Sequence, residues 1–170
     1  ALFAGVTAKS GDMEGYAVSS TAVVTSAGSA SGEDEEGATT VFTLSIADAA
    51  SGLTTTDGSA ITLALESGLI VGRDTGGNAV FAISINTSTG IVSVAQYESL
   101  DHPTGGASYD EVVSLTGKIN AIVTVTDGDG DVATNSVSIG SQIRFGDDGP
   151  NATIALTNTT VTHDESAGVQ

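Results

Sequence analysis

The chain has 170 residues, 21 acidic against four basic, for a net charge of −17, and it contains no cysteine. This length suits one domain, or one domain and a piece of the next. The missing cysteines exclude a disulfide framework, and the charge excludes binding to nucleic-acid phosphates or an anionic membrane surface.

No apolar run reaches membrane-spanning length, and Ala1–Ala8 has neither the basic start nor the cleavage site of a signal peptide. With no Trp, four Phe and three Tyr, the core has to come from Val, Ile, Leu and Ala. Branched β-carbons favour a pleated surface, and the abundant Gly, Asn, Asp and Ser supply turns.

Alternating apolar and polar positions predict strands along the chain. A short strand is expected at Thr21–Ser26, followed by an exposed acidic loop, Ser26–Thr39, that carries Glu33-Asp34-Glu35-Glu36. Thr40–Ala47 alternates well, and Asp48–Gly52 suits a single helical turn. Ala60–Glu66 follows the turn Thr56–Ser59, and Leu69–Gly72 is a shorter strand before the turn Arg73–Asn78. Ala79–Thr87 and Gly90–Tyr97 read as a hairpin across Ser88-Thr89. Pro103 and the pair Gly105-Gly106 keep Asp101–Asp110 out of any central strand. After Val112–Leu115, a second hairpin joins Lys118–Thr126 to Val132–Ile139 across Asp127–Asp131. Ile143–Phe145 is the last strand before Gly146-Asp147-Asp148-Gly149-Pro150, which reads as a domain end. Strand signals resume at Ala152–Leu156 and Thr160–Thr162. Residues 1–149 are thus expected to form one sandwich. Residues 150–170 are a junction with the first strand of a following repeat, or an edge strand that completes the sandwich. Many short strands with polar turns and no long amphipathic helix point to an all-β sandwich or barrel.

The surplus negative charge asks for a partner. Two like charges about 5 Å apart repel by roughly 0.8 kcal/mol even in water, so gathered carboxylates call for a cation, and outside the cell that is calcium. The sharpest candidate is Thr126-Asp127-Gly128-Asp129-Gly130-Asp131. Its three carboxylates at alternate positions can converge on one centre, and the glycines let backbone carbonyls join. The plainer alternative is a hairpin turn with solvated aspartates. The loop is no EF-hand, because Val132 stands where the glycine belongs and Ser138 where the glutamate belongs. Asp147 and Asp148 form a second pair at the expected junction, where a metal would stiffen one module against the next. Asp101 is a further candidate ligand, expected to reach the same end of the sandwich, and Asp164-Glu165 is a weaker one.

Enzyme chemistry has little support. Glu33 to Glu36 offer paired carboxylates, but in a Gly/Ser-rich loop with no aromatic platform for a sugar. His102 and His163 are the only histidines, neither has a nucleophile partner in the pattern, and no GxSxG motif occurs.

In order along the chain, FTLSIADAASGL (42–53), GLIVGRD (68–74), VFAISINTSTGIVSV (80–94), LDHP (100–103), VSLTGKINAIVTVTDGDGD (113–131) and IRFGDDGP (143–150) resemble the tandem repeats of giant bacterial RTX-type adhesins exported by type I secretion. VTHDESAG (161–168) resembles the opening of such a repeat. A looser likeness to cadherin repeats lies in INTSTGIVSV, LD, VTVTDGDGD and DDGP, with Pro103 departing from the acidic residue of the cadherin pattern. The resemblance implies an Ig-like or cadherin-like Greek-key β-sandwich. It also implies calcium at the module ends, with Asp101, Asp127, Asp129, Asp147 and Asp148 as ligands. By the same likeness the chain is a non-enzymatic extender repeat of a secreted bacterial cell-surface adhesin, acting in adhesion and biofilm formation. Its partners are neighbouring repeats of the same chain, with host or biofilm surfaces met through other domains. In isolation it is expected to be monomeric, with no membrane insertion. The rival expectation is calcium-dependent binding of a carbohydrate or protein, for which Tyr97 and Tyr109 are the nearby aromatics.

Overall fold

Strands form where branched and apolar side chains alternate, and their pairing builds a sandwich. The computed structural model describes residues 2–9, 13–31, 37–104, 111–147, 153–155, 157 and 159–160. In chain order the elements are β1 (Gly15–Val18), β2 (Thr39–Ile46), β3 (Ala50–Thr54), β4 (Ala60–Glu66), β5 (Leu69–Arg73), β6 (Ala79–Ile85), β7 (Val92–Gln96), β8 (Val112–Ser114), β9 (Ile119–Thr126), β10 (Val132–Ser138), a 3-10 turn (Gly140–Gln142) and β11 (Arg144–Gly146).

A six-stranded sheet runs in the order β1-β7-β6-β5-β4-β3. The other layer holds the three-stranded sheet β10-β9-β2 and the pair β11-β8. All strand pairings are antiparallel. The all-β sandwich expected from the sequence is observed. Its large sheet is a meander from β3 to β7 with β1 added beside β7, and displays no Greek-key order within itself.

The main core lies between the layers. Phe42, Leu44, Ile61, Leu63, Ile70, Phe81, Ile83 and Val92 meet Leu115, Ile119, Ala121, Ile143 and Phe145 there. Phe81 is fully buried and stacks on Phe145 with ring centroids 4.9 Å apart. Its ring folds over Gly72, where an added Cβ would lie 2.4 Å from the Phe81 ring. A smaller core covers the outer face of the large sheet. Phe3, Val6 and Ala8 pack there over Val71, Ala79, Ala82, Ala95 and Tyr97. Strand β6 is therefore buried along its whole length, although alternation alone marks a half-buried strand. A bulge opposite Gly72 and Arg73 shifts its register, so that Val80 and Phe81 both join the main core.

Three local expectations change. Thr21–Ser26 is no strand; its Val23 and Val24 pack against the main core instead. Asp48–Gly52 is no helical turn. The Asp48 carboxylate accepts the Ala50 N–H at 3.0 Å and pairs with Lys118 at 2.6 Å, and the chain enters β3 directly. The strands expected at Ala152–Leu156 and Thr160–Thr162 are absent at the described positions of those segments, and Ile154 is fully exposed. Strand β1 had no signal, because four exposed residues carry no periodicity.

Candidate metal centre

The β9–β10 hairpin builds the site. Thr126 pairs with Val132, and the Asp127 N–H donates to the Asp131 carbonyl at 3.0 Å, closing a five-residue loop. Asp127 Oδ1 accepts the N–H groups of Gly130 at 3.1 Å and Asp131 at 2.8 Å. Such a side-chain bond to the backbone holds a turn that could otherwise take several forms. Gly130 lies at φ +100°, a conformation that a side chain opposes, which explains the glycine there.

The wrapped loop brings candidate ligand oxygens of Asp127, Asp129 and Asp131 within 4.8 Å of one another. Among the described residues no other trio of acidic or histidine side chains gathers this closely. The Asp127 carboxyl is held below the ordinary carboxylate range. The first cause is a hydrogen bond with the Asp129 carboxyl; the backbone N–H groups of Asp131, Gly130 and Asp129 add to it, against desolvation. Carboxylates gathered this closely repel one another, and a cation among them relieves that repulsion. The donors are all hard oxygens, which suits calcium or magnesium more than a transition metal. Three side chains supply part of a calcium shell of six to eight oxygens, leaving places for carbonyls and water.

Thr39 pairs with Thr126, and Ser31 lines a groove with Asp127 and Asp131. Glu33–Glu36, which lie between these two positions in the chain, are outside the described residues. No sequence signal linked Ser31 to the loop, because they lie far apart in the chain and meet only in the folded sandwich.

The other expected ligands sit apart. The Asp101 N–H donates to the Thr54 carbonyl at 2.9 Å, and Thr54 Oγ1 reaches its carboxylate at 3.4 Å. Thr54 pairs with Ala60 at the start of β4, near the β5–β6 turn. Thr87, beyond the opposite end of β6, accepts the Phe42 N–H close to Thr39 and the aspartate loop. Asp101 therefore lies at the opposite end of the sandwich from Asp127. Asp147 donates its N–H to the Glu111 carbonyl at 2.8 Å. Asp148, Tyr109, His163, Asp164 and Glu165 lie outside the described residues.

Glu111, absent from the expected ligands, has both carboxylate oxygens shielded from solvent and accepting no hydrogen bond from the described residues. A carboxylate so placed is costly without a compensating donor or cation. Its only sequence signal was a charge directly before a short strand. Tyr97, the expected sugar platform, is 7 % exposed and part of the outer core. No helix among the described residues is long and apolar enough to cross a membrane.

A family model described as "Domain of unknown function (DUF5801)" matches residues 5–140. No curated protein and no solved structure matches the chain.

Proposed function

The chain belongs to the DUF5801 family, and we propose that it is a calcium-stabilised extender module of a large secreted bacterial surface adhesin of the RTX type. In this role it is one of a series of repeats that carry an adhesive region away from the cell in adhesion and biofilm formation. The observation that carries the proposal is the convergence of Asp127, Asp129 and Asp131 on one hairpin loop, with candidate ligand oxygens within 4.8 Å of one another. Asp147, whose N–H donates to the backbone carbonyl of Glu111 and which precedes Asp148 in sequence, supports a second cation at the junction with a neighbouring repeat.

The mechanism is thermodynamic. A cation that binds only the folded module draws the folding equilibrium towards that state. Where calcium is scarce, inside the cell, the chain stays loose enough for export. Where calcium is millimolar, Asp127, Asp129 and Asp131 would hold the ion, and its charge would relieve their mutual repulsion and stiffen the module. Nothing in this role needs a catalytic group, and His102, half-buried, has no place in it.

Calorimetric titration of metal-stripped protein with calcium and with magnesium tests the proposal. Saturable calcium binding with a preference over magnesium, lost in Asp129→Asn, is the expected result. Absence of calcium binding at millimolar concentration overturns it. Chelator-sensitive binding to a glycan array would instead favour a ligand-binding module. The burial of Tyr97 leaves that alternative without its expected aromatic platform among the described residues.

A further inference from the structure

Among the described residues strand β10 is an open edge. It borders the three-stranded sheet, and all seven of its residues are exposed, with Val132 at 61 % and Val137 at 55 %. The bonds Asp127 N–H to Asp131 O and Ile139 N–H to Ile119 O set the phase of the ladder. Ala133, Asn135 and Val137 face β9 with their backbone groups, so those of Val132, Thr134, Ser136 and Ser138 turn outward. The Ser136 N–H is taken by Asn135 Oδ1 at 2.8 Å. Beside this edge a trough opens towards the core, with an apolar floor of Val24, Phe42, Ala121, Val123 and Val137 and a polar rim of Thr25, Asn135 and Ser136.

Folded proteins blunt such edges with charges, prolines or bulges. From Val132 to Ile143 there is no charged residue and no proline, and the β9–β10 register is unbroken. The same chain carries a segment with complementary needs. Residues 149–162, GPNATIALTNTTVT, are also free of charge. Ile154 and Leu156 share one face of any extended strand, and Ile154 is fully exposed. One copy thus presents, among its described residues, an unfilled edge and an unburied Ile154. Copies that each carry −17 repel, and two neutral strips are where they approach at least cost.

We propose that β10 accepts residues 153–157 of a second copy as an added strand, with Ile154 and Leu156 laid over the trough beside Val137. The contact joins two different surfaces, tail to edge, so it links copies head to tail. It replaces the expectation of a strictly monomeric module, and it needs no calcium.

The absence of cysteine makes the test clean, because any introduced thiol is unique. Ser136→Cys and Ala155→Cys proteins, each with one thiol on the same outward face, are mixed and oxidised, in calcium and in chelator. The expected product is the mixed disulfide dimer, in excess of either homodimer and of a mixture with Thr62→Cys on the exposed face of β4. In light scattering, the apparent mass of the unmodified chain rises with concentration. Ile154→Asp, a change on an exposed segment that leaves folding intact, weakens that association about tenfold or more. A mass that stays monomeric to millimolar concentration overturns the proposal. So does a Ser136→Cys, Ala155→Cys double variant that closes only within one chain. Either result leaves the calcium reading standing, since the calcium titration is read separately.

Discussion

Replacing one loop aspartate at a time separates a metal site from a hydrogen-bonded turn. In Asp127→Asn the amide oxygen still accepts the N–H groups of Gly130 and Asp131, now at 3.1 and 2.8 Å, so the hairpin keeps its shape while a charge is lost. Asp129→Asn removes a charge without touching the two backbone bonds that Asp127 Oδ1 accepts, and Asp127→Ala removes both charge and turn bonds. At free calcium about a hundredfold above Kd, a site present only in the folded state raises the folding constant about a hundredfold and Tm by about 5–11 °C in a domain of this size. The assay is thermal unfolding by circular dichroism with calcium, with magnesium, and with chelator, all at equal ionic strength, because salt alone screens a charge of −17. The unmodified chain should show the full calcium shift. Asp127→Asn and Asp129→Asn should keep the chelated Tm within about 1 °C and lose most of the shift. Asp127→Ala should lose the shift and also melt about 2–4 °C lower in chelator, from the missing turn bonds. An unmodified Tm that ignores calcium, or an Asp129→Asn protein that keeps the whole shift, would refute the reasoning.

Further outcomes follow from the core and the surface charges. Phe81→Ala empties the space between Gly72 and Phe145 and should cost about 3–5 kcal/mol in urea unfolding; a loss under about 1 kcal/mol would contradict the packing. Gly140→Ala would put a Cβ 1.8 Å from the Leu115 carbonyl oxygen, so the backbone has to move, at a cost of about 1–3 kcal/mol or more; unchanged unfolding would show that this approach is wrong. Asp48, Asp57, Glu66 and Asp74 all have carboxyls below their ordinary range, through Lys118, Thr55, Arg73 and Asn78 respectively as first cause. Their stabilisation is present above the unfolded values of about 4 and is lost as pH falls through the lower folded values. Metal-stripped protein should therefore lose stability steadily below about pH 4, and a flat acid limb in urea midpoints against pH would speak against these contacts.

Local chemistry was enough to determine the β-strands from Thr39 to Gly146 other than β3, the two hairpins and the gathering of Asp127, Asp129 and Asp131. Alternation and glycine spacing act over a few neighbouring residues, and such signals survive in a linear string. Tertiary structure alone decided what lies far apart in the chain. It set β1 beside β7, laid Phe3 over the outer face of the large sheet, and re-phased β6 by a bulge so that Val80 and Phe81 both face the core. It also put Asp101 at the end away from the aspartate loop, brought Thr39 and Ser31 to that loop, and shielded Glu111. Each of these depends on which strand edges meet, and edge pairing is a contest among all strands at once, which no short stretch of sequence encodes.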